Sequence, residues 1–309
     1  MEIKGKVVFS SGKAGDYDIW VLNLVSKTLA QLTSGPHCNE CPRWSPDGTK
    51  IVYVSNRTGT PEIWVMDESG ANQKRITNTG RWHETPSWSP DGKSFVFCAN
   101  YDGSNIDVYT MLADGTGLER ITGYKEIDYA PQYSPDGKKI IYTSRRSGND
   151  DIWTFELQTK EFKQLTNYAG KDSSPVYSPD GAQIAFLRAE EISSETENLE
   201  IYLMDNNGQN IRRITDNLGA DRYVRWSPDG RYLIYTASRS QSPAERLMVI
   251  DLQEKVLGRL DFNRGRLEDE LDAHPTAYAG LFSFLPESIV RKTYSDIYFG
   301  TERSPDWKY

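Results

Sequence analysis

Three histidines carry the most specific chemistry in this sequence: His37, His83 and His274. The first lies three residues before Glu40, and the second lies directly before Glu84. Imidazole and carboxylate groups are ligands that suit Zn²⁺ and Mn²⁺. A fold that brought the three histidines together would allow them to hold such an ion, and we state this as a hypothesis about the metal site.

Two of the three cysteines, Cys38 and Cys41, have the spacing of a zinc-binding pair, and Cys98 stands alone. A structural zinc site needs four ligands, and no second pair with this spacing completes one. An odd number of cysteines also argues against a disulfide framework. We therefore interpret the cysteines as structural residues.

Several other kinds of chemistry have no motif in the sequence. There is no Gly-x-Ser-x-Gly elbow for a nucleophilic serine and no glycine-rich phosphate loop. The net charge of −8 disfavours non-specific binding to nucleic acid. No apolar run approaches the length of a transmembrane helix. Residues 1–4 lead into a predicted strand without the apolar core of a signal peptide.

A repeated segment determines where these residues lie. An aromatic residue followed by Ser-Pro-Asp-Gly occurs five times, and the serines are 44, 45, 44 and 49 residues apart. Ser, Pro and Gly are favoured at the first, second and fourth positions of a type I turn. Each Ser-Pro-Asp-Gly, which we call the tetrad, therefore predicts a tight turn between two strands. A fixed period of this size is typical of a radial repeat fold. The tetrads begin at Ser45, Ser89, Ser134, Ser178 and Ser227.

Short runs of β-branched and aromatic residues around each tetrad predict strands. In the first full unit one strand precedes Ser45, and three more include residues 51–53, 63–66 and 75–77. Four strands per unit make one blade of a propeller. We therefore predict an all-β fold, a six-bladed β-propeller of four-stranded blades.

The two ends of the chain are predicted to share one blade. Residues 4–33 contain three strands and lack an inner one, while residues 304–307 (Ser-Pro-Asp-Trp) resemble a sixth tetrad that is cut short. We expect this segment to supply the missing strand and close the ring, which removes exposed sheet edges. Residues 284–288 are a rival for that role. The chain is then a single propeller over 1–309, with 262–300 as an insertion or lid before the closing strand.

Side chains alternate along a strand, so the inner strands predict which residues line the central channel. With the aromatic before each tetrad packed between blades, the channel-lining residues are Arg43, Ser87, Gln132, Val176 and Arg225. Strict alternation then places another set at the channel mouth, namely Asn39, His83, Asp128, Asp172 and Asp221. Converging carboxylates of this kind can hold Ca²⁺, although a hydrated polar rim without an ion explains them more simply.

One face of the propeller is predicted to carry the variable segments. The tetrads and the turns between third and fourth strands are tight and share one face, the tetrad face. The opposite face, the loop face, holds the blade-to-blade segments and the insertions 190–197 and 262–300. Function usually resides on such irregular segments. Our candidate binding residues there are Asn39, Glu40, Trp82, His83, Glu84, Tyr101, Asp128, Tyr129, Asp172, Asp221, Arg222 and Tyr223.

The full repeat pattern is Pro-x-Trp-Ser-Pro-Asp-Gly, a strand, Ile-Trp or Ile-Tyr, and then Leu-Thr or Ile-Thr. This pattern resembles the TolB-like β-propeller repeat family; four units meet it, and the fifth has Val224 in place of the proline. The resemblance covers about residues 1–261 and the C-terminal tail. It implies a six-bladed ring whose channel often binds a protein partner, and a periplasmic or exported location. Some members are polysaccharide lyases with a histidine-bound metal, but their histidine pattern is not reproduced here.

We therefore predict a binding module that presents the loop face and the channel mouth to a protein or peptide. The alternative is a metal-assisted carbohydrate-active enzyme, such as a polysaccharide lyase, that acts on an oligosaccharide at the same face. The positions of His83 and His274 discriminate between the two, because only the enzyme needs them to share a metal. The sequence leaves open whether Ca²⁺, Zn²⁺ or Mn²⁺ binds at the channel mouth as a cofactor.

Overall fold

The predicted runs form strands, and the tetrads form the turns that connect them. The computed structural model describes residues 6–13, 16–23, 26, 28–103, 105–189, 198–216, 219–239, 242–253, 256–259 and 303–308. These residues contain strands and turns but no helix, and therefore no helix that could span a membrane. The two predicted insertions, 190–197 and 262–300, lie outside the described residues, as does His274.

The described strands form six sheets of four antiparallel strands, and each sheet is one blade. Each inner strand contacts the inner strand of the next blade, so the blades form a ring around a central channel. The predicted six-bladed propeller is thus confirmed.

From inner to outer strand, blade 1 has β24 (Arg303–Lys308), β1 (Lys6–Lys13), β2 (Asp16–Asn23) and β3 (Thr28–Gln31), and blade 2 has β4 (Asn39–Trp44), β5 (Lys50–Ser55), β6 (Glu62–Asp67) and β7 (Lys74–Arg75). Blade 3 has β8 (His83–Trp88), β9 (Ser94–Ala99), β10 (Asp107–Leu112) and β11 (Glu119–Arg120), and blade 4 has β12 (Asp128–Tyr133), β13 (Lys139–Ser144), β14 (Asp151–Glu156) and β15 (Phe162–Gln164). Blade 5 has β16 (Lys171–Tyr177), β17 (Gln183–Ala189), β18 (Leu199–Asp205) and β19 (Arg212–Arg213), and blade 6 has β20 (Asp221–Trp226), β21 (Tyr232–Arg239), β22 (Ser242–Asp251) and β23 (Val256–Arg259).

The tetrad makes the tight turn that its sequence predicts. In blade 2 the Gly48 N–H donates to the Ser45 carbonyl oxygen at 2.7 Å. The Ser45 hydroxyl donates to Asp47 at 2.6 Å and accepts from the Lys50 N–H at 2.9 Å. The same contacts recur in the other four copies, which explains why the four residues are retained as a unit.

A buried threonine explains the Ile-Thr or Leu-Thr pair that ends each unit. The Thr77 hydroxyl accepts from the Ile63 N–H at 2.9 Å, beside the fully buried Glu62. Burial alone would raise the pKa of the Glu62 carboxyl, but hydrogen bonds from Thr77 and the Gly80 N–H outweigh it and lower the pKa. Equivalent threonines in four other blades bond to a backbone N–H in the same way.

The aromatic residues before the tetrads pack between blades, as predicted. Trp44 of blade 2 lies in one buried cluster with Val8 and Ile19 of blade 1. Trp88 also donates its indole N–H to the Arg43 carbonyl oxygen of the preceding blade at 3.3 Å. Each such side chain therefore covers apolar surface on two blades, and burial of apolar surface stabilises the seam.

The C-terminal strand closes the ring, as predicted. Strand β24 pairs with β1 and takes the innermost place in blade 1. Its Trp307 lies opposite Val7, just as Trp44 lies opposite Ile51 in blade 2. The rival segment, 284–288, lies outside the described residues.

The register of β24 corrects the interpretation of residues 304–307 as a sixth tetrad. Because Trp307 holds the place of Trp44, the matching segments are Pro305-Asp306-Trp307 and Pro42-Arg43-Trp44. The segment that closes the ring is therefore the strand before a tetrad and not the turn itself. Asp306 takes the register position that Arg43 has in blade 2.

Candidate functional site

Every inner strand from blade 2 to blade 6 contains a β-bulge. In blade 2, Glu40 lies opposite Val54 and Arg43 lies opposite Val52, so the inner strand has one residue more than its partner over this interval. Cys41, inside the bulge, adopts a φ of 54°, which is uncommon for a residue other than glycine. The equivalent residues Thr85, Ala130, Ser174 and Tyr223 have φ values of 51°, 50°, 54° and 55°.

The bulge changes which side chains face the channel, because one extra residue reverses the alternation of a strand. Strict alternation predicted five residues at the channel mouth, and that prediction of their orientation is wrong. They share a sheet face with the aromatic residues before the tetrads, and each is at most 1% exposed: Asn39, His83, Asp128, Asp172 and Asp221. The residues that share a face with the channel-lining set are instead Glu40, Glu84, Tyr129, Ser173 and Arg222.

Four members of the buried set tie an inner strand to residues at or just after the end of the second strand. Asn39 accepts a hydrogen bond from Arg57 at 3.0 Å, and the Asp128 carboxylate lies 3.6 Å from the Arg146 guanidinium. The Arg146 guanidinium also lies 3.8 Å above the Tyr124 ring, a cation–π arrangement. These contacts use the carboxylates within the blades, so they do not converge at the channel mouth as a Ca²⁺ site requires.

His83 is fully buried, and both ring nitrogens have partners. Nδ1 lies 2.8 Å from the Arg81 carbonyl oxygen, and Nε2 lies 3.0 Å from the Tyr101 hydroxyl. Burial lowers the pKa of the imidazole, and the Glu62 carboxylate 3.3 Å from Nδ1 opposes that shift only in part. His83 is therefore a neutral interior residue that offers no nitrogen to a metal.

The metal hypothesis consequently lacks a site among the described residues. No group of three or more histidine, cysteine, aspartate and glutamate side chains in that part of the chain is arranged to hold an ion. His37 is half-buried in the segment before β4, and His274 lies outside the described residues. A set that includes His83 does not fit Zn²⁺ or Mn²⁺, since the imidazole would have to give up its hydrogen bonds.

The cysteines have the properties of structural residues. All three are free thiols, and Cys41 and Cys98 are buried. Burial, followed by the charge of nearby Glu84, raises the pKa of each of these two thiols to about 12. A thiol with such a pKa stays protonated, whereas the thiolate is the metal ligand and the nucleophile.

The inner strands line an open cavity of about 120 Å³ in the channel. All five channel-lining residues of the sequence-based set contribute to its wall, namely Arg43, Ser87, Gln132, Val176 and Arg225. Glu84, which the bulge turns toward this face, lines it as well. The wall thus carries both guanidinium and carboxylate groups around one small, open cavity. Apolar and uncharged contacts come from Thr85, Ala130, Ser174, Val176, Tyr223 and the neighbouring prolines.

The predicted aromatic anchors of the loop face are less exposed than their sequence positions suggest. Trp82, Tyr101 and Tyr129 are all half-buried. The Tyr101 ring packs edge-on against Tyr109, with 4.7 Å between centroids, and belongs to the periphery of a core cluster. Burial raises the pKa of Tyr129, which hydrogen-bonds to Asp150. Of the three, Tyr129 is the one whose backbone position faces the channel.

Sequence reasoning missed the bulge, although one signal for it was present. Four of the five bulges are followed directly by a proline, as at Pro42 after Cys41 and Pro86 after Thr85. Proline has no N–H to donate to a ladder, so within a sheet it favours edges and bulges. A proline two residues before the tetrad aromatic therefore predicts an interrupted ladder, and with it the reversed alternation.

Comparisons with known proteins agree on the class, a β-propeller. A family model described as the TolB beta propeller domain matches residues 4–105 and 82–191, and one described as the Tricorn protease N-terminal beta propeller domain matches residues 147–276. The chain therefore belongs to the TolB β-propeller family. Comparison with curated protein sequences found no match.

Solved structures share the fold at low sequence identity. TolB from Acinetobacter baumannii is 23% identical with a TM-score of 0.72, over 99% of this chain and 67% of that one. A structure assigned as TolB from Agrobacterium tumefaciens is 19% identical with a TM-score of 0.69, over 83% and 89%. An oligogalacturonate lyase in complex with manganese is 15% identical with a TM-score of 0.55, over 84% and 74%. At these identities the likeness extends to the fold alone.

Proposed function

We propose that the protein is a binding module that takes a protein or peptide partner at the loop face and the channel mouth. The observation that carries this proposal is the set of five mouth positions that the bulges turn toward the channel. They hold two carboxylates, a phenol, a hydroxyl and a guanidinium, in the order Glu40, Glu84, Tyr129, Ser173 and Arg222.

The variety of these side chains supports recognition at this end of the channel. Because the five groups differ from blade to blade, the pattern of charge and hydrogen bonding is not the same around the ring. Acidic groups lie in blades 2 and 3, and a basic group lies in blade 6. Complementary charge of this kind gives a complex its specificity. The tetrad turns at the opposite end have the same four residues in blades 2 to 6, so they offer little that distinguishes one partner from another.

A metal-assisted carbohydrate-active enzyme is less well supported. The manganese complex of the oligogalacturonate lyase shares the fold, but a fold hosts many unrelated functions. In the present chain His83 is buried, with its nitrogens bonded to Arg81 and Tyr101. The binding module therefore explains the geometry with fewer assumptions.

The proposal is tested by measuring the affinity of a captured partner for surface variants of the purified protein. We expect Tyr129→Ala and Glu84→Lys to weaken binding by about 2 kcal/mol each, as expected for residues at the centre of a contact. The matched controls on the tetrad face, Asp67→Asn and Asp205→Asn, should bind as the wild type does. Loss of binding in the two controls with retention in Tyr129→Ala and Glu84→Lys would show that the partner uses the other face.

A further inference from the structure

The groove between blades 4 and 5 on the tetrad face is polar at positions where two equivalent grooves are apolar. Three positions lie along each groove: one in a third strand, the aromatic residue before the next tetrad, and the second residue of the next turn between third and fourth strands. Between blades 2 and 3 and between blades 5 and 6 these positions are apolar, and each set packs in one cluster: Val65, Trp88 and Ala113, and Leu203, Trp226 and Leu252. Between blades 4 and 5 they are Thr154, Tyr177 and Asn206, so this groove lacks the apolar side chains that fill the other two.

The three polar residues line an open cavity of about 300 Å³. A volume of this size is at the lower end of the range of small-molecule sites, about 300–1,000 Å³. The tetrads of the two blades form another part of the wall, with Asp136 of blade 4 and Asp180 of blade 5. Because the tetrads have the same residues in blades 2 to 6, the three polar positions are what distinguishes this groove.

The Tyr177 hydroxyl is the first hydrogen-bonding group of the cavity. Tyr177 is 8% exposed, and its hydroxyl has no hydrogen-bond partner among the residues that the structure describes. In the apolar grooves the tryptophan at this position donates to the preceding blade, as the Trp226 indole does to the Val176 carbonyl oxygen at 3.3 Å. Burial, followed by the charges of Asp136 and Glu156, raises the pKa of Tyr177, so the hydroxyl stays protonated. A nearly buried donor without an acceptor costs free energy, and an acceptor on a ligand removes that cost.

The charged side chains of the wall balance one another. Two are carboxylates and two are ammonium groups: Asp136, Asp180, Lys139 and Lys163. Their charged neighbours outside the wall balance as well, because Glu156 lies 3.8 Å from Lys139 and Lys138 lies 4.0 Å from Asp136. The cavity therefore has no surplus charge of either sign, and an uncharged ligand fits it best.

The same wall offers both acceptors and donors to a ligand. Asp180 uses Oδ1 to accept from the Ser178 hydroxyl at 2.6 Å, which leaves Oδ2. Asn206 donates Nδ2 to the Gly181 carbonyl oxygen at 2.9 Å, which leaves Oδ1. The Lys163 ammonium carries three protons and the Tyr177 hydroxyl one. A ligand that matches this wall must donate and accept within a short distance, as a hydroxyl group does.

We propose that the groove between blades 4 and 5 binds one unit of an uncharged sugar through its hydroxyl groups. A sugar unit is neutral and carries several adjacent hydroxyls, each of which is both a donor and an acceptor. Tyr177 donates to one of them, and Asn206 and Asp180 accept from others. This site lies on the tetrad face, so it is separate from the protein or peptide partner of the loop face and goes beyond the proposed function.

The first experiment titrates the full chain with three uncharged sugars: D-glucose, D-galactose and N-acetyl-D-glucosamine. The side-chain amide signal of Asn206 is followed by NMR and is assigned by its loss in Asn206→Leu, which copies Leu252 of blade 6. We expect at least one of the three sugars to shift this signal in a saturable way. The charged sugar D-glucuronate should bind more weakly than that sugar. Linear shifts with all three sugars, or tighter binding of D-glucuronate, would overturn the site.

The second experiment removes single hydroxyl groups. Tyr177→Phe should lower the affinity for the sugar about fivefold, as for the loss of one hydrogen bond. Tyr133→Phe is the matched control, because Tyr133 holds the same position in the groove between blades 3 and 4, and it should bind as the wild type does. Equal affinity in wild type and Tyr177→Phe would overturn the role of the hydroxyl in the site.

The third experiment fills the groove. Thr154→Val, Tyr177→Trp and Asn206→Leu together introduce the kinds of residue that the apolar grooves contain. We expect this variant to melt no lower than the wild type and to lose sugar binding, and binding retained in the folded variant would overturn the site. Tyr129→Ala, a loop-face variant, should bind the sugar as the wild type does. Failure of the sugar site is thus distinguishable from failure of the proposed function.

Discussion

Arg188 and Asp172 form a two-point salt bridge between adjacent strands of blade 5. The Arg188 Nε lies 2.7 Å from one carboxylate oxygen of Asp172, and Nη2 lies 2.8 Å from the other. The Asp172 side chain is fully buried and that of Arg188 is 13% exposed. The guanidinium also lies 4.1 Å above the Tyr168 ring. The pair joins an inner strand, a second strand and a blade-to-blade segment at one point.

Asp172→Asn should therefore destabilise the fold by about 3 kcal/mol, because it leaves a buried guanidinium without its counter-charge. Chemical denaturation at neutral pH measures the change in the free energy of unfolding. The exposed Glu161 is the control, and Glu161→Gln should shift the midpoint little. A midpoint in Asp172→Asn equal to that of the control would show that the salt bridge contributes nothing to the stability of blade 5.

The fold of this chain could be predicted from sequence because its strongest signals are local and repeated. Ser45, Asp47 and Gly48 bond to one another within a single turn, so the turn needs no information from the rest of the molecule. The five copies then fix the number of strands between turns. Ring closure could be predicted because residues 4–33 lack one strand of a blade, which another part of the chain has to supply.

The orientation of the site residues could not be predicted with the same rule. Alternation assigns every side chain from one reference residue, and a single bulge at Cys41 reverses all assignments on its far side. Glu40 therefore moves to the channel face and Asn39 to the interior. The partner of Asn39, the half-buried Arg57, lies two residues after the end of β5, and such a contact has no signature in the spacing of residues.

Gly137 offers a clean test of the tetrad turn. Its φ is 71°, and a methyl group at this position would meet only Pro90, at 3.8 Å, so there is space for a side chain. Gly137→Ala should therefore cost about 1 kcal/mol through backbone conformation alone. Gly123, which lies outside the left-handed region, is the matched control. If both alanine variants have the same denaturation midpoint, the turn does not depend on a glycine at that φ.

The closing strand β24 gives a prediction about the whole ring. Removal of residues 303–309 leaves the inner edge of β1 without its partner, and an unpaired edge is prone to pair with another chain. We expect a lower melting temperature and an increase in light scattering at high protein concentration. A synthetic peptide of residues 301–309 should restore part of the lost stability when it is added in excess. A truncated protein that melts and scatters as the full chain does would mean that the ring closes without β24.

The burial of His83 predicts how stability depends on pH. The imidazole pKa is lowered in the fold, mainly by burial, while in the unfolded chain it stays near its ordinary value of about 6.5. As the pH falls below that value, the unfolded chain takes up a proton that the folded His83 does not. Stability should thus fall by up to about 1.4 kcal/mol per pH unit until the folded pKa is reached. His83→Asn copies Asn39 of blade 2 and removes this contribution. The difference in the free energy of unfolding between wild type and variant should therefore become smaller as the pH is lowered from about 7.5 to about 5. A difference that stays constant across that range would place the folded pKa of His83 at its ordinary value.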